Sequence, residues 1–478
     1  MDPNLPVLIQ GGMGVGVSGW PLARAVAQLG HLGVVSGTAL DTVMVRRLQL
    51  GDSGGHVRRA LAALPVPGAE EWILDRYFVP GGKQAEQRFQ LTSMKRDNPS
   101  RRVEELLVAA NFVEVYLARE GHHGIVGINY LEKVQAPTLS SLYGAMLAGV
   151  DYVLMGAGIP KSIPVVLDEL AAGHPVELRL DVKGATADDT FRAHFDPSSV
   201  TGSHDHPSSV KRPGFLAIVS SHVLAVMLAR KIERPVDGFV VEAPTAGGHN
   251  APPRGKLQLD EAGEPVYGER DVPDLAAIAD LGLPFWLAGG YSDPDRVREA
   301  LALGAAGVQV GTPFAYCEES GLDAEVRRQV LDLSRQGMAK VFTDPLASPS
   351  GFPFKIVELE GTLSDDDVYE GRNRESCELG FLRSAYRADD GHLAWRCPAE
   401  PVDVYIGKGG STNDTVGRKC LCNSLMANVG LGQVQRDGAP EPMLITSGDT
   451  VADIAQFLPP GADSYTAADV IRYLLPDT

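Results

Sequence analysis

Residues 288–314 read AGGYSDPDRVREALALGAAGVQVGTPF, which is a helix pattern between two strand ends that carry glycine. The first strand end is AGG at residues 288–290, and the second is GT at residues 311–312. Glycines at such ends let backbone N–H groups approach an anion closely, and a helix N-terminus adds a favourable dipole. The stretch therefore predicts a phosphate site between two βα units. The alternative is that the glycines only form tight turns.

The rest of the chain places this stretch at the end of a longer repeat. Short apolar runs alternate with helical patterns, namely VLIQG (from 7), GVVSG (from 33), GIVGIN (from 124), DYVLMG (from 151), FLAIVSS (from 215), GFVVEA (from 238), PFWLAGG (from 284) and GVQVGT (from 307). Strands that are apolar on both faces indicate a parallel sheet covered by helices. About eight βα steps predict a TIM (β/α)₈ barrel over residues 5–320. A doubly wound open sheet is the alternative.

Two long excursions interrupt the repeat, at about residues 41–123 and 177–212. Because insertions that follow barrel strands lie on the catalytic face, both are candidate lids, and for the second a solvated surface loop is an equal alternative. The repeat stops after residue 314, and the composition of the sequence changes there. We assign residues 1–345 to the barrel and residues 346–478 to a C-terminal extension or small cysteine-containing domain.

The composition is that of a globular enzyme. The chain has 478 residues, 44% of them hydrophobic, and a formal charge of −18, which disfavours binding to nucleic acid or an anionic membrane. The start MDPNLPVLIQGG has no basic leader, and the longest apolar run, FLAIVSSHVLAVMLA, is shorter than the ~20 residues of a membrane span. Five cysteines are too few for a disulfide scaffold of this length. We expect a cytoplasmic protein with no nucleic-acid or membrane partner.

A second motif, VVEAPTAGGHNAPPRG at residues 240–255, places a histidine after a predicted strand. The strand leads into Glu242, and a turn of small residues then presents His249 at the loop tip. Histidine is the side chain best suited to exchange a proton near neutral pH. His249 is therefore the candidate catalytic residue, and the alternative is an ordinary surface or core histidine.

A third motif, QGGMGVGVSG at residues 10–19, contains GxGxxG spacing. A dinucleotide-binding fold would need an acidic residue after the second strand, and Asp41 comes only after a further turn. We favour a loop after the first strand that lays GGM at residues 11–13 against a flat ligand.

Together, QGGM, AGGH, AGG and GVQVGT in this order resemble the nitronate monooxygenase family, also called 2-nitropropane dioxygenase-like. The family includes FMN-dependent enoyl reductases, and AGGHNAPPRG is most similar to the branch found in polyunsaturated fatty acid synthases. The resemblance covers about residues 5–315 and implies an FMN-binding TIM barrel.

The resemblance also implies roles for individual residues. Those that would hold the FMN phosphate are Gly289, Gly290, Gly311 and Thr312. Those that would contact the rest of the cofactor are Gly11, Gly12 and Met13 at the ring, Asn129 by a hydrogen bond, Glu242 near the ribityl chain, and Gly248. His249 corresponds to the family's active-site histidine, but Thr245 replaces the family's acidic residue, which leaves the substrate open. Lys183 and Ser220 are weaker cofactor candidates.

The predicted function is a flavin-dependent oxidoreductase that oxidises alkyl nitronates with O₂. The alternative is an NAD(P)H- and FMN-dependent enoyl-thioester reductase in lipid or polyketide synthesis, and a non-redox alternative is a barrel that binds a phosphometabolite. We expect a small-molecule substrate, with a homo-oligomer or a biosynthetic assembly left open.

The C-terminal cysteines form a fourth group, and a zinc ion or an iron–sulfur cluster is one interpretation of it. The four residues are Cys377, Cys397, Cys420 and Cys422. Their spacing lacks the usual CxxC pairs, so buried thiols and a redox pair are alternatives. His204 and His206 flank an acidic residue and are a further metal candidate, with a mobile loop as the preferred interpretation.

Overall fold

The computed structural model describes residues 5–202, 210–372 and 377–476. Its centre is a closed barrel of eight parallel strands. In chain order these are β1 (Leu8–Gln10), β2 (Leu32–Ser36), β3 (Val126–Leu131), β4 (Tyr152–Gly156), β5 (Gly214–Val219), β6 (Gly238–Glu242), β7 (Phe285–Ala288) and β8 (Gly307–Val310). Each strand pairs with the next, and β8 pairs with β1 through Leu8 and Val308. The TIM barrel is confirmed, and the open sheet is excluded because β1 and β8 close the ring.

The barrel is filled by side chains, as the alternation of its strands requires. One buried cluster inside the ring includes Ile9, Val34, Leu154 and Trp286. The indole Nε1 of Trp286 donates a 2.7 Å hydrogen bond to the carbonyl of Pro6, so its polar atom is satisfied. The interior is a packed core, and space for a ligand is left only at the strand ends.

Helices cover the outside of the barrel and continue into the C-terminal region. Their bounds are Trp20–Gln28, Leu40–Gln49, His56–Leu61, Ala69–Tyr77, Arg101–Arg119, Thr138–Leu147, Ile163–Ala171, Pro197–Thr201, His222–Arg230, Leu275–Ala279, Pro294–Ala302, Thr312–Ala315, Ala324–Arg335, Asp366–Gly371, Val402–Gly407, Leu421–Ala427 and Ala467–Leu474. Short 3₁₀ segments are Ser53–Gly55, Glu269–Asp271, Thr412–Thr415 and Asp449–Phe457. Within the described residues, no helix is long and apolar enough to cross a membrane.

Three small sheets lie outside the barrel. Val176–Arg179 pairs with Arg192–Phe195 inside the second excursion. Val341–Asp344 pairs with Phe354–Val357. Ser384–Arg387 pairs with Leu393–Arg396 and with Val182–Lys183, so the second excursion and the C-terminal region share one sheet.

The C-terminal region packs directly on the barrel. The hairpin that ends in Phe354–Val357 spans the predicted boundary at residue 345, and the division into domains stays a prediction. Val357, Ile445 and Val451 belong to the same hydrophobic cluster as the barrel helices. This packing brings the C-terminal region to the carboxyl ends of the strands.

Candidate active site

One cavity lies at the carboxyl ends of the barrel strands, where TIM barrels hold their ligands. The candidate residues for catalysis and cofactor binding line it, except the two weaker candidates Lys183 and Ser220. These residues are Gly11, Gly12, Met13, Asn129, Glu242, Gly248, His249, Gly289, Gly290, Gly311 and Thr312. The glycines of residues 10–19 thus belong to the loop after β1 of a barrel, and the dinucleotide-fold interpretation is wrong.

Gly289, Gly290 and Gly311, which follow β7 and β8, form one wall of the cavity, and we call it the glycine wall. It offers backbone N–H donors to a ligand. Gly289 and Gly290 have φ values of 86° and 80°, a conformation that favours glycine. A Cβ at Gly289 would lie 2.9 Å from Thr245 Oγ1 and 3.0 Å from the carbonyl of Ala243. In the part of the chain that the structure describes, the N–H groups of Gly289, Gly290 and Gly311 donate to no other backbone group. Such donors can receive the oxygens of a phosphate.

The C-terminal region closes this end of the cavity. The N–H of Gly448 donates to Thr312 Oγ1 at 2.9 Å, and the N–H of Gly248 donates to Thr446 Oγ1 at 3.0 Å. Ser447 and Thr450 also line the cavity. Sequence reasoning missed these residues, and the one local signal is the run of small residues TSGDT at 446–450.

The opposite wall is built around Asn129, which lies within β3, two residues before its end. Its Nδ2 donates to the carbonyl of Gly12 at 3.1 Å, while its Oδ1 is buried without a hydrogen-bond partner among the described residues. A Cβ at Gly12 would lie only 2.4 Å from Asn129 Cβ, so the close approach requires glycine. Gln309 Oε1, which belongs to another residue of the cavity lining, also has no partner among the described residues, and both oxygens are acceptors suited to the N–H groups of a polar ring.

His249 is held by the C-terminal region. Its Nε2 lies 2.7 Å from Ser348 Oγ, which lies 2.8 Å from Ser350 Oγ. The ring packs edge-on against Phe354 at a centroid distance of 4.8 Å, and the two residues form an antiparallel bridge. Burial lowers the pKa of His249 to about 4, so the imidazole is neutral at neutral pH.

Glu242 is the second titratable group of the cavity. Burial raises the pKa of its carboxyl group to about 7. It lies between the main cavity and a small adjoining one, which is also lined by Ser220 and Tyr267. Glu242 can therefore be protonated or charged within the physiological range. Of the two weaker candidates, Ser220 lies beside the site, whereas Lys183 lines a separate cavity.

The four C-terminal cysteines converge, but the metal hypothesis gains no support. Cys377, Cys397 and Cys420 line one small cavity. Among the described residues, no group of three or more His, Cys, Asp or Glu side chains is arranged to hold a metal ion. Burial raises the pKa of Cys377 to about 11 and also raises the pKa values of Cys397 and Cys422. His204 and His206 lie outside the described residues.

A family model and several known proteins match this chain. A family model described as nitronate monooxygenase matches residues 198–343, which include His249 and the glycines after β7 and β8. A nitronate monooxygenase of Pseudomonas aeruginosa is 38% identical over 124 residues, 25% of this chain and 32% of that protein.

Two further proteins are more distant in sequence. A (3aS,4S,5R,7aS)-5-hydroxy-7a-methyl-1-oxo-octahydro-1H-indene-4-carboxyl-CoA dehydrogenase of Mycobacterium tuberculosis is 26% identical over 233 residues, 45% of this chain and 60% of that protein. A nitroalkane oxidase from Streptomyces ansochromogenes aligns in structure with a TM-score of 0.49 and 14% identity, over 99% of this chain and 95% of its own.

The matched segments thus span about 60% of the Mycobacterium protein and about a third of the Pseudomonas protein. The family match coincides with the segment that carries the cavity's histidine and glycine wall. Residues 198–343 are thus similar to the nitronate monooxygenase family, and the relatives of 38% identity match only part of their own length.

Proposed function

We propose that the protein is an FMN-dependent oxidoreductase. The observation that carries the proposal is the single cavity that joins a wall of unpaired glycine N–H groups, an unpartnered amide oxygen and a neutral histidine. These are the groups that a flavin mononucleotide needs at its phosphate, at its ring and at the reacting substrate. The match of residues 198–343 to the nitronate monooxygenase family model supports the same cofactor.

Each part of the cavity has a role in this proposal. The N–H groups of Gly289, Gly290 and Gly311 would hold the phosphate, and Asn129 Oδ1 would accept a hydrogen bond from the ring. FMN, when bound, supplies the redox chemistry. For an enoyl thioester, His249 would pass a proton from solvent to the enolate left by hydride addition, and for a nitronate, which is already deprotonated, it would donate a hydrogen bond. Ser348 orients the ring through Nε2.

Oxidation of alkyl nitronates with O₂ is the first candidate reaction. The family model covers the loop of His249, and the Pseudomonas relative is itself a nitronate monooxygenase. A neutral His249 adds no charge to the cavity, and it can donate a hydrogen bond to a nitronate oxygen of the substrate.

Reduction of an enoyl thioester with NAD(P)H is the second candidate. The Mycobacterium relative, by its name, acts on a carboxyl-CoA compound, and it matches this chain over 233 residues. A second, basic cavity beside the first also favours a substrate with a charged carrier. This reaction would suit a role in lipid or polyketide synthesis.

Anaerobic reduction of the FMN-loaded protein separates the two reactions. If nitronates are the substrate, propionate 3-nitronate or propane 2-nitronate bleaches the flavin absorbance and NAD(P)H does not. If an enoyl thioester is the substrate, NAD(P)H bleaches the flavin, and crotonyl-CoA restores the absorbance. A protein that binds no FMN after reconstitution would contradict the oxidoreductase proposal and favour a phosphometabolite-binding barrel.

A further inference from the structure

A second cavity, of about 360 Å³, lies beside the active site. The loop after β3 (residues 133–137) forms one wall, and the strand Val182–Lys183 forms another. The third wall is the C-terminal region around residues 380–385, which belongs to the same sheet as Val182–Lys183. We call it the basic cavity.

The charges that line the basic cavity are opposite in sign to those of the whole chain. Lys95, Lys133, Lys183 and Arg383 line it together with one acidic residue, Asp181. The chain carries a formal charge of −18. A concentration of positive charge in such a chain favours an anionic ligand at this place.

Two of the four basic side chains are already neutralised. Lys95 is buried and forms an ion pair with Asp41. Lys133 lies 3.1 Å from Asp181 and 3.7 Å from Glu132. Their charges therefore add little to the field in the basic cavity.

The other two form no ion pair with a carboxylate among the described residues, although Glu400 acts on Arg383 from a longer distance. Arg383 donates to the carbonyls of Gly380 and Lys95, at 3.1 and 2.7 Å, and forms no ion pair with a described residue. Its guanidinium lies 5.4 Å from the centre of the Trp395 ring. Lys183 is exposed and forms no ion pair within the described part of the chain. The pair offers two cations and an aromatic surface to a ligand.

The basic cavity is linked to the active site by hydrogen bonds. Ser350 lines the basic cavity, and its Oγ lies 2.8 Å from that of Ser348, which contacts His249. A ligand anchored in the basic cavity is thus two hydrogen bonds away from the proposed proton-transfer residue. The anchor would lie outside the barrel cavity, and the rest of an extended ligand could reach into it.

We propose that the basic cavity binds the adenosine diphosphate group of an extended substrate or cosubstrate. A diphosphate is the anion that two neighbouring cations, one of them an arginine, hold well. The adenine ring can stack on the Arg383–Trp395 pair. Coenzyme A and NAD(P)H both carry this group. The choice of these two carriers rests on the proposed function, whereas the binding of the group itself does not.

Calorimetric titration of the FMN-reconstituted full chain with ADP, coenzyme A and NADPH tests the proposal. ADP and at least one of the two larger ligands should bind saturably. Lys183→Glu should weaken the binding roughly tenfold, because it replaces an attractive charge by a repulsive one. Coenzyme A binding alone would identify a thioester carrier, and NADPH binding alone would identify the reductant.

Lys231→Glu is the matched control. Lys231 is also exposed, and it follows the helix His222–Arg230, whose end lies on the opposite face of the barrel. This variant should bind all three ligands as the unchanged protein does. Failure of ADP to bind, or equal binding by Lys183→Glu, would overturn the inference. FMN content, measured on the same samples, tests the proposed function separately.

Discussion

The barrel and the C-terminal region contribute to the active site in different ways. The barrel supplies the groups that would touch ligands, namely His249, Glu242 and the glycine wall. The C-terminal region supplies groups that hold these in place, such as Ser348 and Thr446. The difference indicates that barrel variants should abolish function, whereas C-terminal variants should only weaken it.

The largest effect is expected for His249→Ala. Loss of a positioned proton-transfer group should reduce kcat by about 10²- to 10⁴-fold. FMN content should stay unchanged, because the glycine wall is intact. Turnover per bound FMN, measured with the substrate that bleaches or restores the flavin, checks this. Unchanged turnover per FMN, with flavin lost, would refute the assigned role.

The next effect concerns the glycine wall. In Gly289→Ala the new Cβ meets Thr245 Oγ1 and Ala243 at about 3 Å, so the wall must shift. We expect FMN affinity to fall roughly 10- to 100-fold, since two or more hydrogen bonds to a charged phosphate depend on this backbone. Fluorescence titration with FMN measures the loss.

Gly304→Ala provides the control for backbone strain. Gly304 also has a positive φ, 89°, but no atom lies within 4 Å of a Cβ placed there, and it precedes β8 on the far side of the barrel. Gly304→Ala should show the stability cost of the positive φ alone, Gly289→Ala should lose more stability because of its close contacts, and only Gly289→Ala should lose FMN affinity. Equal affinities for FMN in the two variants would show that the glycine wall does not bind the phosphate.

A smaller effect is expected from Glu242→Gln, and it depends on pH. The folded protein keeps the Glu242 proton up to a pKa of about 7, whereas the unfolded chain releases it near 4.5. The folded state therefore binds more protons between these values, and stability falls as pH rises through this window. We expect Glu242 to lower the free energy of unfolding by about 2 kcal/mol between pH 4.5 and 7, less than the full shift because the cavity opens to solvent.

Urea unfolding of the FMN-free protein at pH 5 and pH 8 checks this prediction. In Glu242→Gln the free energy of unfolding should lack the part of its pH dependence that Glu242 causes. The difference in this free energy between the variant and the unchanged protein should therefore grow with pH. His249, with its lowered pKa, acts in the opposite direction below pH 6.5 and is present in both proteins. Parallel pH curves would show that Glu242 has an ordinary pKa.

The smallest effect is expected in the C-terminal region. Ser348→Ala removes the hydrogen bond to His249 Nε2, and a bond worth about 1 kcal/mol corresponds to roughly a fivefold loss of kcat. The pH profile of kcat should also shift, because the imidazole loses a partner. Ser350→Ala keeps this bond and should lose less. If Ser348→Ala lost as much kcat as His249→Ala, the barrel and the C-terminal region would not differ in their contributions as described.

The sequence was sufficient for the barrel and for its half of the site. The eight predicted strands are the eight barrel strands, because parallel barrel strands are short, apolar on both faces and followed by glycines. The family that the motifs resemble is the one whose model matches residues 198–343. Asn129 and Glu242, which the family resemblance singles out, both line the cavity, and their roles stay predictions.

The C-terminal half of the site could not be predicted from local patterns. Ser348 is 99 residues from His249, and Thr446 is 198 residues from Gly248, so only the packed chain brings them together. Lys183, a weaker cofactor candidate, does not line the barrel cavity. The excursion after β4 places it at the basic cavity instead. The short spacing of the C-terminal cysteines suggested a metal site in the same way. The sequence alone could not show that burial raises the pKa values of these thiols.

The central claim is that the barrel cavity binds FMN, and reconstitution tests it directly. The purified full chain is incubated with excess FMN, passed through a desalting column and examined by its visible absorbance, and the released flavin is then identified. We predict one FMN per chain, with Gly289→Ala retaining much less. A folded protein that retains no FMN would contradict the account.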